Sequence, residues 1–371
     1  MSFSLPTYHP PDFTTAKLAA APLTRFARVQ RDGVAPPDYH ATSIFPEYLH
    51  LAPGDWRLLT DSRMDCVVRR GEKGALEVVE FRRLRCGDRV ALGRHEDGSD
   101  GIYVHTSGFR FAEQRPEKFA FRTLTTRESS FSFDYDELST LLEHEREAGF
   151  VLWVLGPALA FDRDARAAFV RLVRNGYVQG LLAGNALPTH DLEAALYGTA
   201  LGREIYRKRP VAGGHYKHLD ALNTLRELGS IEAAVKRGLV GEGIVHALVE
   251  KEIPYVFAGS IRDDGPLPEV VADAYAAQDT MRALARRATT VICLATQLHT
   301  IATGNMAPSY KVLADGAVRP VFFYSVDMSE FAAQKLINRG SLTTRAILTN
   351  VQDFVVTLER GLKARDQGPG S

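Results

Sequence analysis

The sequence predicts an α/β protein in which a parallel sheet with helices on both faces follows a small, mainly β domain. From residue 149 onwards, short apolar runs alternate with segments of helical periodicity, which is the repeat of a parallel sheet. The stretch from Pro254 to Tyr310 contains two such runs, YVFAG and TTVICLAT, on either side of a helical segment. Earlier in the chain, short β runs are separated by turns instead. We therefore expect two domains, residues 1–135 and 136–367.

The predicted β domain contains one clear hairpin. The runs Asp65–Arg70 and Leu76–Phe81 flank a turn bounded by Gly71 and Gly74. Two further runs, RVALG and GIYVH, lie on either side of the polar segment HEDGSDG, and we expect them to continue the hairpin. A charged helix at Asp134–Ala148 then joins the two domains.

The predicted α/β domain follows in order. Besides the two strands of the central stretch, its expected strands are Phe150–Leu155, Tyr177–Ala183, Arg319–Val326 and Ala346–Thr349. Its expected helices are Asp162–Asn175, Asp191–Gly202, Leu219–Leu228, Ile231–Arg237, Gly241–Lys251, Pro268–Arg287, Ser329–Asn338 and Gln352–Ala364. A basic loop carrying two histidines, residues 207–218, is expected before the third of these helices.

Composition excludes several classes of partner. The chain has 371 residues with 45 Lys and Arg against 45 Asp and Glu, so no bulk charge attracts nucleic acid or an anionic membrane. The three cysteines have no CxxC spacing, which is typical of a reducing compartment. We find neither a signal-peptide pattern nor an apolar run of membrane-spanning length. We expect a cytoplasmic protein without a resident metal.

Polar segments directly follow both strands of the central stretch. Ser260–Pro266 carries two carboxylates, a guanidinium and a hydroxyl, and Thr296–Asn305 is similarly polar. Ligands of open parallel sheets bind beyond the carboxyl ends of the strands, so these segments are candidate site residues. The alternative is that both are solvated turns.

The glycine patterns argue against the common nucleotide motifs. The sequence has no GxGxxG between a strand and a helix and no GxxxxGK[ST]. The run from Gly238 to Gly243 follows a helix and is better explained as a helix C-cap. Any dinucleotide must therefore be held in another way.

Six motifs in the same order carry a family resemblance. They are GNALPTHDLEAALYGTALG, GGHYKHLDALNTLRELGSIEAAVKRGLVGEGI, VFAGSIRDDGPLP, LATQLHTIATGNMAPSYK, VDMSEFAAQKLINRGS and LTNVQDF. Together they resemble the archaeal-type, NAD-dependent ornithine cyclodeaminase family, whose domain also forms the C-terminal half of cyanobacterial arginine dihydrolase/ornithine cyclodeaminases. The resemblance covers roughly residues 150–360, with a looser match in YHATSIFP and MDCVV of the β domain.

The resemblance implies a nucleotide domain similar to deoxyhypusine synthase, NAD as the cofactor and an amino acid as the substrate. The implied NAD contacts are Asn185, Ala186, Asp264, Thr296, Gln297, Leu298, His299, Asp327, Asn350 and Val351. The implied mechanism borrows a hydride: the α-amine of ornithine is oxidised to an imine, the δ-amine attacks, ammonia leaves and the returned hydride gives proline. A homo-oligomer, dimer or tetramer, is also expected.

Catalysis also needs proton transfer, for which the candidates are His215, Lys217, His218 and Asp263. A histidine near neutral pH or a desolvated lysine is suited to deprotonating the substrate ammonium. Alternatively, the two histidines only cap the following helix and Lys217 is a solvated surface charge. Among all site residues Asp264 is the first choice.

The chain departs from the family pattern at several places. VDMS and TNVQ stand where the family has VDIN and TDVG, Tyr216 and Lys217 interrupt the histidine-rich segment, and Leu313–Val318 is additional. These departures leave the diamino acid open. Two other classes of function also stay open: a net amino or imino acid dehydrogenase of the opine or saccharopine type, and a non-catalytic NAD-binding module.

Overall fold

The structure is a computed structural model that describes residues 4–110, 132–261, 263, 266–329, 331, 335 and 341–367. In its first part the elements are β1 (Thr7–Tyr8), α1 (Ala16–Ala19), β2 (Arg25–Arg28), β3 (Glu47–Ala52), β4 (Asp55–Leu58), β5 (Val67–Arg70), β6 (Leu76–Val79), β7 (Arg89–Leu92), β8 (Ile102–Val104) and β9 (Phe109–Arg110). We call residues 4–110 the β region.

The β region is built from small antiparallel sheets. One has the order β2-β7-β5-β6, another β4-β3-β8, and β1 pairs with β9. The predicted hairpin is confirmed, because Val67 lies opposite Val79 in the β5–β6 pair. The expectation that β8 continues this sheet is wrong, since β8 pairs with β3 instead. The carboxylate of Asp100 accepts the backbone N–H groups of Arg94 and His95, at 2.9 and 3.0 Å, and this tight turn redirects the chain.

The second part, from residue 132, alternates helices and strands. Its elements are α2 (Ser132–Ala148), β10 (Val151–Leu155), α3 (Arg163–Arg174), β11 (Gly180–Gly184), α4 (Ala186–Tyr197), β12 (Thr199–Ala200), β13 (Arg203–Glu204), α5 (Gly214–Leu228), α6 (Ile231–Lys236), α7 (Ile244–Glu250), β14 (Tyr255–Ala258), β15 (Val270–Val271), α8 (Ala274–Ala285), β16 (Thr290–Leu294), α9 (Gln297–Met306), β17 (Tyr310–Val312), β18 (Val318–Pro320), β19 (Phe322–Asp327), β20 (Thr343–Leu348) and α10 (Val351–Asp366). The helix expected at Ser329–Asn338 falls mostly outside the described residues.

A seven-stranded parallel sheet organises this part, in the order β15-β14-β11-β10-β16-β19-β20. Alternate residues of the central strand β10 point to opposite faces: Trp153 packs with α3 and α10, whereas Leu152 and Val154 pack with α8. All five residues of β10 are fully buried, as expected for a strand covered on both sides. The predicted α/β fold with helices on both faces is confirmed.

One predicted helix needs correction at both ends around residue 200. The helix expected at Asp191–Gly202 begins at Ala186, because the chain turns into a helix directly after β11 and Thr189 Oγ1 donates to the Asn185 carbonyl oxygen at 2.8 Å. It ends at Gly198, whose φ of +66° is left-handed and suits glycine. The following residues form the β12–β13 hairpin.

The expected loop at residues 207–218 is partly helical. α5 begins at Gly214, so His215, Lys217 and His218 lie in its first turns. Gly214 packs against Gly202 so closely that a Cβ at Gly214 would lie 2.3 Å from the Gly202 carbonyl oxygen. Gly214 therefore serves close backbone packing, while Gly213 precedes the helix with a left-handed φ of +66°.

Two further boundaries also differ. The helix expected from Pro268 begins only at Ala274, where the Asp273 carboxylate accepts the Ala276 N–H at 2.7 Å, and the preceding Val270–Val271 extends the sheet as β15. The strand expected from Arg319 is divided: β18 forms a hairpin with β17, and β19 enters the parallel sheet at Phe322.

Hydrogen bonds join the β region to the α/β part. Tyr310 Oη donates to the Leu59 carbonyl oxygen at 2.7 Å, and the Ser309 N–H donates to the Ser62 carbonyl oxygen at 3.1 Å. Arg63 Nη1 donates to the Asn305 carbonyl oxygen at 2.6 Å. The division into two domains at residue 135 stays a prediction.

No described helix is long and apolar enough to cross a membrane. The three cysteines form no disulfide, and Cys66 and Cys293 are buried.

Candidate active site at the carboxyl ends of the strands

The site is organised by the point at which the order of strands reverses. From β10 the chain proceeds outwards through β11, β14 and β15, then returns to the other side of β10 as β16. The segments after β10 and β16 touch there: the Gly156 N–H donates to the Leu294 carbonyl oxygen at 2.8 Å, and a Cβ at Gly156 would lie 2.0 Å from the Ala295 carbonyl oxygen. Ligands of open α/β sheets bind in the crevice at such a reversal.

The amino terminus of α9 opens into this crevice. Ala295 joins β16 to α9 with a φ of +47°, a conformation that is unfavourable for a residue with a Cβ. Thr296 occupies the N-cap position, but its side chain does not cap the helix, and its Oγ1 lies 3.4 Å from His299 Nδ1. The first turn of α9 therefore presents backbone N–H groups without a side-chain cap, an arrangement that suits a phosphate group.

His299 reaches from α9 across β10 to the end of β11. A Cβ at Gly184 would lie 2.7 Å from His299 Cε1, so only glycine leaves room for this ring. Burial lowers the pKa of His299, which favours the neutral imidazole. A neutral ring beside the uncapped helix end adds no positive charge and keeps one nitrogen able to accept a hydrogen bond.

The structure brings Asn185 and Asp263 together. Asn185 Nδ2 lies 3.5 Å from Asp263 Oδ1, while Asn185 Oδ1 accepts the Leu267 N–H at 3.2 Å. Asp263 Oδ2 accepts the Ser260 N–H at 2.7 Å. Asp264, the first choice from the sequence, lies outside the described residues.

Asp327, Asn350 and Val351 lie on the opposite side of the reversal. The Thr349 N–H donates to the Asp327 carbonyl oxygen at 3.2 Å, so β19 and β20 end side by side. Asn350 already has a structural role, because its Oδ1 accepts the N–H of Gln352 at 2.8 Å and caps α10. Val351 is buried, so its side chain faces the core.

Exposed apolar side chains follow three strands of the sheet. Leu298 after β16 is 73% exposed and Met328 after β19 is 70% exposed, and Ile261 and Phe331 are also exposed. Gln297 and Ala186 lie at the starts of α9 and α4, at the same edge. Apolar surface around a few convergent polar groups is typical of a small-molecule site.

The residues of α5 lie further from this edge. Lys217 Nζ lies 4.7 Å from the ring centroid of Tyr197, the last residue of α4, and His215 is exposed against Tyr216. The twelve residues of α4 span roughly 16 Å at the rise of an α-helix. Lys217 is therefore at the end of α4 remote from Ala186, and its catalytic role stays a prediction.

A histidine–glutamate pair between these two regions was missed by the sequence reasoning. His190 Nδ1 lies 3.1 Å from Glu193 Oε2, and the His190 ring packs against Phe161 and, at 6.4 Å between centroids, against His218. Glu193 is fully buried, where it accepts the Thr199 hydroxyl and the N–H groups of Leu201 and Gly202. The signal was present, because residues three apart share a helix face.

Burial alone would raise the pKa of Glu193. The hydrogen bonds from His190, Gly202 and Thr199 outweigh it, so the pKa of the carboxyl is lowered and the group stays ionised. The ionised carboxylate of Glu193 orients the His190 imidazole through its contact with Nδ1. The pair can accept and release a proton.

Asp191 performs a different task from its neighbour. Its buried carboxylate accepts Arg166 Nε at 2.6 Å and the N–H groups of Ile244 and Val245 at 3.0 and 2.8 Å, so it caps α7 and not its own helix. Gly243 precedes α7 with a φ of +112°, and a Cβ there would lie 2.2 Å from Arg166 Nη2. The glycine run from residue 238 to 243 thus serves helix ends, and within the described residues no group of three or more metal-ligating side chains is found.

Comparison with known proteins identifies the family. A family model described as arginine dihydrolase ArgZ-like, C-terminal, Rossmann fold matches residues 137–358. The chain is 36% identical to an ornithine cyclodeaminase of Methanopyrus kandleri over 342 residues, 90% of this chain and 76% of that protein. A second ornithine cyclodeaminase, from Methanococcus maripaludis, is 33% identical over 90% of this chain and 78% of its own length. The chain belongs to the ornithine cyclodeaminase family.

Solved structures agree with this family assignment. A LOR/SDH protein of Methanococcus maripaludis S2 superposes with a TM-score of 0.83 at 32% identity, over 93% of this chain and 99% of that chain. The ternary complex of AgrE with ornithine and NAD⁺ superposes with a TM-score of 0.58 at 29% identity, over 95% of this chain and 47% of that chain. The family prediction is confirmed, and this chain has the fold of the ornithine cyclodeaminase family.

Proposed function

We propose that the chain is an NAD-dependent ammonia-lyase that converts ornithine, or a close diamino acid, to proline or the equivalent cyclic imino acid. The main support for the proposal is the position of the family's motif residues at the carboxyl ends of the strands. Asn185 and the segment Thr296–His299 follow β11 and β16, and Asp327 ends β19, so they lie on either side of the reversal at β10. Membership of the ornithine cyclodeaminase family supports the enzyme class.

The described residues fit a dinucleotide. The uncapped N–H groups at the start of α9 would hold the pyrophosphate, and Asn185 and Asp263 offer polar groups to a ribose. Leu298 and Met328 would cover apolar parts of the rings. When bound, NAD supplies a hydride acceptor that can later return the hydride.

The reaction itself needs no net oxidant. The α-carbon of ornithine loses its bond to the α-nitrogen and gains one to the δ-nitrogen, and the α-nitrogen leaves as ammonia. Holding the δ-amine near the α-carbon replaces a bimolecular encounter with an intramolecular one. Water must be excluded meanwhile, because an imine that meets water hydrolyses to a keto acid.

Proton transfer is the part that the protein performs with its own side chains. The α-ammonium must lose a proton before oxidation, and the departing nitrogen must gain one. We assign this exchange to His190, oriented by Glu193, with His218 as its neighbour.

One experiment separates the three classes of function. Protein, NAD⁺ in catalytic amount and ornithine are mixed, and ammonia, proline and absorbance at the NADH wavelength are followed together. We expect ammonia and proline in equal amounts without accumulating NADH. Stoichiometric NADH with a keto acid would show the dehydrogenase of opine or saccharopine type, and NAD binding without turnover would show a binding module.

A pair of leucine variants tests where NAD binds. Leu298→Ala should weaken NAD binding by about 1 kcal/mol, because the truncated side chain covers less apolar surface. Leu239→Ala, at another exposed leucine beyond the end of α6, should leave the dissociation constant unchanged. Equal affinities of the two variants would remove α9 from the cofactor site.

We also propose that the protein is a homo-oligomer, through apolar side chains on the segment that precedes and begins α5. Exposed apolar residues cluster there: Leu201, Tyr206, Val211, Tyr216 and Leu219. Isolated monomers rarely expose so many large apolar groups in one short segment. Sedimentation velocity of the wild type and of Leu219→Arg tests this: a monomeric wild type would contradict it.

A further inference from the structure

A second cleft lies between the β region and α8. It has a volume of about 300 Å³ and is lined on one side by residues of β5 and β6 and on the other by the second half of α8. Since α8 ends at Ala285 and β16 begins at Thr290, this half of α8 lies towards the amino ends of the strands. The cleft is therefore at the opposite edge of the sheet from the candidate active site.

Arginines outnumber carboxylates around the cleft. Two carboxylates, Glu80 and Asp279, share four guanidinium groups. Glu80 contacts Arg63, Arg83 Nε at 3.1 Å and Arg282 Nη1 at 2.6 Å. Asp279 contacts Arg82, Arg83 and Arg282. Elsewhere on the lining, the charge of Arg69 is already balanced by Glu77. Asp61 also lines the cleft, so among the described residues these four guanidinium groups face three carboxylates, which leaves an excess of one positive charge.

Arg282 is the most confined of these side chains. It is 3% exposed, and its Nε–H has no hydrogen-bond partner among the described residues. Burial and the neighbouring charge of Arg63 lower the pKa of Arg282 to about 10, although Glu80 acts in the opposite direction. A buried cation is normally matched by counter-charge and hydrogen bonds, and here both are incomplete.

Arg286 adds a further cation on the same helix face. It follows Arg282 by four residues, lines the cleft and is exposed. Its guanidinium forms no ion pair with any described residue. Among the described residues its donors have no partner, so they can contact a ligand.

We propose that this cleft binds a small dianion, either a phosphate group or a dicarboxylate, between Arg282 and Arg286 of α8 and the arginines of the β region. The two negative charges of the dianion balance the one-charge excess of the ion-paired cluster together with the charge of Arg286. Guanidinium groups match the oxygen geometry of both kinds of anion. Because the ligand contacts both the β region and α8, its binding stabilises the folded chain and holds these two parts together.

The test uses the full chain and two probes, inorganic phosphate and succinate, each titrated at constant ionic strength with chloride as the balancing ion. We expect at least one probe to raise the melting temperature saturably. Arg286→Ala should weaken that probe by about tenfold or more, since one charge-assisted contact is lost. The probe that saturates identifies the class of anion.

Arg237→Ala is the matched control. Arg237 is also an exposed arginine at a helix C-cap, at the end of α6, but it does not line the cleft. The Arg237→Ala variant should bind the probe with the same affinity as the wild type. If neither probe raised the melting temperature saturably, the proposal would be overturned. An equal rise of the melting temperature in Arg286→Ala and in the wild type would also overturn it, because the anion would then bind elsewhere.

Discussion

At the scale of single residues, the candidate site depends on side chains that are held in uncommon states. Burial lowers the pKa of His299, which packs against Gly184, and so favours its neutral form, whereas hydrogen bonds lower the pKa of the fully buried Glu193 and favour its ionised form. Each state is maintained by particular neighbours. Changing the neighbour or the pH should therefore change the state.

The buried His299 should make stability depend on pH. Its pKa in the folded protein lies below the ordinary value of 6.5, so at lower pH the unfolded chain binds more protons than the folded one. The free energy of unfolding should fall as the pH drops below about 6.5. His299→Gln removes this titrating group. Acidification should therefore lower the free energy of unfolding of the wild type more than that of the variant.

Urea unfolding of both proteins between pH 7.5 and pH 5, a range chosen to bracket roughly the histidine pKa, measures this difference. His9→Gln, which removes an exposed histidine, is the control and should behave as the wild type. A constant difference between wild type and His299→Gln across the range would contradict the prediction.

The His190–Glu193 pair should affect turnover and not cofactor binding. His190→Gln removes the proton acceptor, and we expect turnover to fall by about 100-fold or more. Glu193→Gln keeps the shape but removes the carboxylate that orients the His190 ring, so turnover should fall in this variant as well. NAD titration is the second measurement: a dissociation constant that changes as much as turnover would show a structural role only.

At the scale of elements, one buried carboxylate fixes three pieces of the chain. Asp191 of α4 caps α7 and pairs with Arg166 of α3. Arg166 is also held by Glu242, whose side chain is 69% exposed. The two acidic partners of the same arginine therefore differ in burial, and Asp191 in addition caps α7.

This contrast gives a matched pair of variants. Asp191→Ala leaves Arg166 buried without its main partner and α7 without its cap, and should lower the free energy of unfolding by about 3–5 kcal/mol. Glu242→Ala removes a solvated partner and should cost less than about 1 kcal/mol. Urea denaturation of both variants measures the costs, and equal costs would be inconsistent with the structure.

The elements also show what the sequence could and could not predict. Strands such as β10 and β16 are continuous apolar runs, and helices such as α3 have a clear period, so the parallel sheet was predictable. The start of α5 was not, because Gly214 looks like part of a loop until Gly202, twelve residues earlier, is seen packed against it. The division of β18 from β19 depends on the distant pairing with β17.

The candidate site was predictable to a similar degree. The segments after β11, β16 and β19 follow directly from strand ends, so their positions could be inferred from the sequence. The pairing of His190 with Glu193 was missed because His190 looked like the start of a helix that in fact begins at Ala186. The remote position of Lys217 depends on how α5 packs on α4, which no local pattern encodes.

At the scale of the whole molecule, the β region is tied to the α/β part by buried polar contacts. Tyr310, Arg63 and Ser309 all bond across this boundary. Glu80 of the β region also contacts Arg282 of α8. Both parts should therefore depend on each other for stability.

We expect the β region and the α/β part to unfold in one cooperative transition. Differential scanning calorimetry should show a single peak whose calorimetric and van't Hoff enthalpies agree. Tyr310→Phe leaves the Leu59 carbonyl without its partner and should lower the free energy of unfolding by about 1–3 kcal/mol while keeping a single peak. Two separate peaks in the wild type would contradict this coupling.

The position of β10 has a consequence for synthesis of the chain. β10 is the first strand of the parallel sheet to leave the ribosome, and it lies at the centre of that sheet. β11 covers one of its edges soon afterwards, but its other edge waits for β16, which is made only after β14, β15 and α8. A nascent chain therefore exposes the apolar, unpaired edge of VLWVL during most of the translation of this part, and this edge is where a chaperone would bind or where nascent chains would aggregate.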